Sequence, residues 1–263
     1  MDSALLGIGV AVIVFAGGAL GLKLQSALPE SYTTGGARDM IGAVVGLVTL
    51  LLALVLGLLI WTAFGVFSTQ KASIQTLATS ALRFDSALSD YGSEAAEGRK
   101  ILKTGLERTI AQIWGGGGYD SDFVIKNYQY ALADLNERKA FLNLLQPSSD
   151  KQKAAQAAAT QAAVAMDQTR MQLALSLVDP VAYPLLAVVV AWATCLFCGF
   201  GLLAKPHVMA YVALAVGALA VASASYVIAD LSDPYAGLVQ VSPAPIVDVM
   251  KAVDVAADFR GPQ

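Results

Sequence analysis

The stretch MIGAVVGLVTLLLALVLGLLIWTAFGVFSTQ, residues 40–70, decides the fold of this chain. It carries no charge between Asp39 and Lys71. A helix needs about 20 apolar residues to cross the hydrocarbon core of a bilayer, so this run spans a membrane with residues to spare. No turn chemistry follows its end. Ile74, Leu77, Ala81, Phe84, Leu88, Tyr91 and Ala95 then recur at alternating steps of three and four, the spacing of a heptad-like helical stripe. The span is therefore expected to leave the bilayer as one long helical stalk.

Three more uncharged runs flank it. Ser3 to Leu22 lies between Asp2 and Lys23, Pro180 to Ala204 between Asp179 and Lys205, and Pro206 to Ala229 ahead of Asp230. The first lacks the basic leader of a secretory signal, having Asp2 instead, and is long enough to span, so it reads as retained. The last two are parted only by Lys205, Pro206 and His207, which implies a tight helical hairpin. The 263 residues are 56% hydrophobic and 14% charged, against about 25% charged for a soluble domain. Mean hydropathy is +0.61.

The charges sit between these runs. The insert at 68–179 reads as helical throughout. Its stripe continues through Leu102, Leu106, Ile110 and Ile113, after a drift in phase at Gly98, as far as the break at Gly115-Gly116-Gly117-Gly118. Four glycines lose too much backbone entropy to remain helical. A second helix carries Tyr128, Leu132, Leu135, Leu142 and Leu145 and stops at Pro147. Ser148, Ser149 and Asp150 offer N-cap chemistry for a third, with Ala155, Ala159, Ala162, Met166 and Leu173 on one face. The tail at 230–263 opens on turn residues and closes on a short amphipathic helix with Ile246, Met250, Val253 and Ala257 on one side. Its acidic polar face suits packing on protein better than on anionic lipid. The fold class is an all-α membrane protein, with membrane helices in 1–67 and 180–229, a helical bundle between the second and third spans, and a tail.

Several functions are excluded on composition. A net charge of −3 and a pI near 5.1 argue against a nucleic-acid partner, whose binding rests on Lys and Arg. Two cysteines and one histidine leave no metal site and no cofactor site. Cys195 and Cys198 lie mid-span, where a thiolate is costly, and read as small filler. The glycine run is not a phosphate loop, since no Gly-Lys-Ser/Thr follows. No nucleophile–base pair assembles around a single histidine, so the chain is not read as an enzyme. The spans hold no ionisable group, which disfavours a proton-coupled transporter. Thr49, Thr62, Thr194, Ser223 and Ser225 are their scattered polar groups.

Gly17 with Gly21, and Gly42 with Gly46, form GxxxG pairs that let helices approach closely. Asp230 and Asp233 stand where the fourth span meets water. They either draw cations to a pore mouth or cap the helix and shape the turn; the turn is the favoured reading. Four spans place the termini and the insert on one side, with Lys23, Arg38 and Lys205 in short loops on the other. The positive-inside rule, which counts short loops, leans toward an extracytoplasmic insert.

Two groups of residues resemble a known family. One is Ser80-Ala-Leu-Arg83-Phe-Asp85 with Tyr91-Gly-Ser-Glu94-Ala-Ala-Glu97-Gly-Arg99. The other is Trp192-Ala-Thr and Phe200-Gly-Leu-Leu-Ala204, followed by Asp233-Pro-Tyr-Ala-Gly237-Leu-Val-Gln-Val-Ser242-Pro-Ala-Pro245. With two spans, a helical insert and two more spans, the chain resembles the bacterial bestrophin-like family of unknown function. That resemblance implies distant kinship to bestrophins, which are pentameric ion channels. It implies a homo-oligomer in the lipid bilayer of a bacterial inner membrane, passing small inorganic ions. Bestrophins line a narrow neck with apolar residues of the second membrane helix. The matching stretch here puts Ile60, Phe64 and Phe67 on one face as a candidate gate that works by dewetting. Aromatics near a span end more commonly form an interfacial belt. No acidic cluster resembles the calcium clasp of bestrophins. A different class of function stays open beside the channel, a non-conducting scaffold or sensor acting through the coiled insert.

Overall fold

The computed structural model describes residues 3–29, 35–115, 121–178, 183–235 and 237–258. Among these it contains no strand. In chain order the helices are α1 (Ser3–Ala27), α2 (Gly36–Tyr91), a short 3-10 turn (Ser93–Ala95), α3 (Ala96–Trp114), α4 (Ser121–Leu144), α5 (Asp150–Val178), α6 (Tyr183–Leu203), α7 (Val208–Ser232) and α8 (Ala244–Asp258). Four of them, α1, α2, α6 and α7, are long and apolar enough to cross a membrane. The chain divides into two compact units, residues 1–66 with 180–233, and residues 67–179 with 234–263.

In the first unit α1 packs against α6 and α7, and α6 against α7. Small residues make the approach close. A Cβ placed on Gly17 would stand 2.6 Å from Thr194 Cγ2, and one on Gly21 or Gly201 would overlap the backbone of the facing helix. Lipid tails are as apolar as leucine, so tight van der Waals contact rather than burial from water favours such pairs. The span hydroxyls are consumed locally. Thr49, Thr62, Thr194 and Ser225 each donate to the carbonyl four residues earlier, and Ser223 to that of Ala220. The hairpin between α6 and α7 is capped at both ends. Arg38 Nη2 donates to the Leu203 carbonyl at 3.2 Å, and His207 Nδ1 accepts from the Ala210 amide at 3.1 Å as the N-cap of α7. Loop and helix ends need such partners because their backbone groups have none of their own.

The second unit is built on the stalk. Ile74, Leu77, Ala81, Phe84, Leu88 and Tyr91 are all buried, Phe84 and Ile74 completely. Full burial of a side chain such as Phe84 contributes about 1.5–3 kcal/mol. The stripe does not simply drift at Gly98, as the sequence suggests; the helix ends at Tyr91. Gly92 takes φ +122°, a conformation that L side chains rarely adopt, and the 3-10 turn that follows leads into α3. Asp85 and Arg99 pair at 2.7 Å across the turn. Gly98 is where α3 is pressed closely, by Leu88 and Phe141. Trp114 ends α3 and Gly115 is its C-cap; the rest of the glycine run lies outside the described residues.

At α5 the cap is Ser149, whose Oγ accepts from the Gln152 amide at 3.2 Å, while Gln152 Oε1 accepts from the Ser148 amide at 2.8 Å. The face at Ala155, Ala159, Ala162, Met166 and Leu173 is buried. The tail returns to this unit. Ile246, Val249 and Val253 of α8 join the same core cluster, and Lys103 pairs with Asp254 at 2.9 Å. Trp114 stands edge-on to Tyr235, with ring centroids 5.1 Å apart, and donates from Nε1 to the Val241 carbonyl. Tyr235 Oη donates to Gln70 Oε1 at 2.9 Å, both side chains being buried. Ala257 falls outside the described side chains.

Candidate functional site

The second span is the least covered of the four. Within the chain 17% of its most apolar window is buried, against 33%, 39% and 28% for α1, α6 and α7. Val45, Leu52, Leu59 and Ala63 are buried at steps of seven, seven and four, a stripe one residue wide per two turns. Beyond Phe67 the same helix buries about four residues per heptad, Ile74, Leu77, Ala78 and Ser80 in one and Ala81, Phe84, Asp85 and Ala87 in the next. The bilayer half of α2 therefore presents most of its circumference outward.

Two uncovered faces differ in character. One carries large side chains: Leu47, Leu50, Leu54, Leu58 and Trp61 are exposed, Trp61 by 74%. The other runs at steps of three and four through Gly42, Gly46, Thr49, Ala53, Gly57, Ile60, Phe64 and Phe67. Its first part is nearly all small, and an added Cβ at Gly42, Gly46 or Gly57 would meet nothing within 4 Å. Its last part is large. Ile60 is half-buried, Phe64 is exposed, and Phe67 is half-buried against the core of the second unit. The sequence suggested Ile60, Phe64 and Phe67 as a group; the small-residue run in register before them was missed. The legible signal was the three-four spacing of Gly42, Gly46 and Gly57 with the aromatics.

The other candidates are placed differently from one another. Gly17 and Gly21 are consumed in packing α1 on α6, whereas Gly42 and Gly46 face open space. Asp230 is buried, with Tyr226 Oη donating to its Oδ1 at 3.3 Å, and its carbonyl accepts from the Asp233 amide. Asp233 is exposed and is the C-cap of α7. Cys195 and Cys198 are free thiols on α6. No group of three or more His, Cys, Asp or Glu that could hold a metal occurs among the described residues.

A polar cluster inside the bundle of α3, α4 and α5 also escaped the sequence reading. Asp134 Oδ2 accepts from Arg170 Nη1 at 2.6 Å and Oδ1 from Arg108 Nη1 at 2.9 Å. Arg170 Nε donates to Asn127 Oδ1 at 3.3 Å, and its Nη2 donates to Gln112 Oε1. Asn127, Asp134, Arg138 and Arg170 are each at least 95% buried. Asn127, Ala131, Asp134, Arg138 and Leu142 follow one inward stripe of α4, so the cluster is polar residues in core phase.

A family model, the Bestrophin-like domain, matches residues 11–246. Two single-substitution variants of a bacterial Bestrophin homolog from Klebsiella pneumoniae share the architecture. One is 12% identical with a TM-score of 0.68, the other 13% with 0.67, and each match covers 97% of this chain and 99% of the homolog's. A crystal structure of a membrane protein is likewise similar, with 12% identity, a TM-score of 0.70 and the same coverage. At such identities the likeness shows the fold. None of the curated proteins matches the chain. Four membrane helices, a helical extramembrane unit built on the second of them and a family match over most of the length lead to one assignment: the chain belongs to the Bestrophin-like family.

Proposed function

We propose that this chain is the subunit of a homo-oligomeric ion channel in a bacterial inner membrane, with α2 lining the path. The observation that carries the reading is the graded face of α2. Small residues from Gly42 to Gly57 leave room for a hydrated lumen when copies of the helix surround an axis. Ile60, Phe64 and Phe67 then form a collar. An apolar ring of this kind expels water when narrow, and an ion that must shed its shell there meets a barrier. The adjoining leucine-rich face, opposite the stripe buried within the chain, meets lipid and neighbouring copies. One chain provides no polar route of its own, because its span hydroxyls are bonded to their own helices. Rotational symmetry supplies the route by bringing several α2 helices together.

The bestrophin-like solved structures and the family match support ions as the cargo. Apolar walls bind no ion tightly, which suits rapid passage. Asp233, the exposed C-cap of α7, is our candidate for a carboxylate at a mouth, and Asp230 serves the helix end. Substituted-cysteine accessibility tests the lining. In a background lacking Cys195 and Cys198, cysteines at Gly46, Ala53 and Phe64 should react with small hydrophilic thiol reagents in reconstituted protein, and one at Leu54 should not. Equal reactivity of the two faces would overturn the assignment. Protein that assembles but passes no ions would leave a membrane scaffold acting through the extramembrane bundle.

A further inference from the structure

The cluster in the α3–α4–α5 bundle contains two groups that its hydrogen bonds leave out. Arg138 lies one turn beyond Asp134 on α4 and is 4% exposed, and its Nε is buried with no hydrogen-bond partner. Asp167 lies one turn before Arg170 on α5, and its Oδ1 is buried in the same condition. No direct ion pair joins the two among the described residues. A buried donor and a buried acceptor, each unmatched, are costly for a folded protein. The neighbouring acid is fully engaged: Asp134 holds Arg170 and Arg108, and Arg108 also reaches Glu137 at 3.3 Å.

Asp167 has a way out that Arg138 lacks. A guanidinium stays protonated at any working pH, whereas a carboxylate that takes up a proton becomes neutral and sheds most of its desolvation penalty. Access is present. Asp167 also lines an open groove of about 510 Å³ between α4 and α5, together with Tyr128, Leu132, Gln168 and Met171.

We propose that Asp167 is a proton-binding site of this bundle, and that its protonation tightens the packing of α5 on α4. The proton comes from solvent through the groove and adds to the carboxylate; no bond breaks elsewhere. The groups acting on Asp167 are Arg138, Lys139 and Asp134 on α4 and Arg170 on its own helix. Burial pushes the Asp167 carboxyl above the ordinary range, Arg138, Arg170 and Lys139 pull it down, and Asp134 pushes it up. A folded-state value above the unfolded one means that the folded bundle binds a proton the unfolded chain does not. Its stability therefore rises as pH falls through the folded value, and this gain is complete below the unfolded value.

The test uses full-length protein in detergent, with thermal melting followed between about pH 8 and about pH 3, a range that runs from well above to below ordinary carboxylate titration. Asp167→Asn, which mimics the neutral carboxyl, should melt above the wild-type temperature near pH 8, and the gap should close as pH falls. A gap that does not change with pH would overturn the proposal. Infrared difference spectra between the same pH values provide a second reading. Wild type should gain a protonated-carboxyl C=O band that Asp167→Asn lacks, and its absence from wild type would also overturn the proposal. Arg138→Met removes the principal cation opposing proton uptake, so the band should appear at higher pH; an unmoved band contradicts the pairing. Should Arg138→Met fail to fold, the infrared comparison of wild type with Asp167→Asn decides alone.

Discussion

At the scale of single residues, glycine marks where helices touch and where they do not. Gly21 meets the backbone of α6 at Cys198, while Gly46 faces open space. Gly21→Ala is therefore expected to cost about 1–3 kcal/mol through overpacking, read as a lower melting temperature of the purified protein. Gly46→Ala should leave that temperature nearly unchanged. The same logic separates charges. Asp134 neutralises buried Arg170 and binds Arg108, so Asp134→Ala strands buried guanidinium charge. The expected loss is roughly 3–5 kcal/mol, measured by thermal or denaturant unfolding against wild type. A loss no larger than that of an exposed pair such as Lys100–Glu97 would count against the cluster as a structural centre.

At the scale of elements, the tail is tied to the second unit by apolar and polar contacts together. Trp114 packs edge-on to Tyr235 and bonds the Val241 carbonyl, and α8 buries Ile246, Val249 and Val253. Trp114→Ala should cost about 3–5 kcal/mol and expose residues 237–258 to limited proteolysis, where wild type resists. The four spans and the buried stripe from Ile74 to Tyr91 were legible in the sequence, because a long run without charge and a sustained three-four period each have few readings. The Ser149 cap was legible for the same local reason. Gly92 was not: a single glycine flanked by helix-compatible residues is a weak breaker on paper, and only the return of α3 against Leu88 makes its positive φ necessary. Nor was the Asp134–Arg170 cluster. Asn127, Asp134 and Arg138 look like a solvated face until α3 and α5 supply the partners, and that pairing is a property of tertiary structure.

At the scale of the whole molecule, the distribution of burial along α2 is uneven. The stalk half of α2 is covered by its own chain, and the bilayer half is not. Its graded face, from Gly42 to Phe67, was only half legible. The aromatics stood out against the matching stretch of bestrophins, but glycines are common in any membrane helix and drew notice only as GxxxG pairs. A path lined by such a helix needs several copies, which ties oligomerisation and conduction into one claim. The measurement that tests it most directly is ion flux from liposomes holding the purified protein, with wild type beside Phe64→Ala. Flux through wild type, raised several-fold by Phe64→Ala as the collar widens, is the expected outcome. No flux through either protein, or equal flux through both, would contradict α2 as the wall of the path.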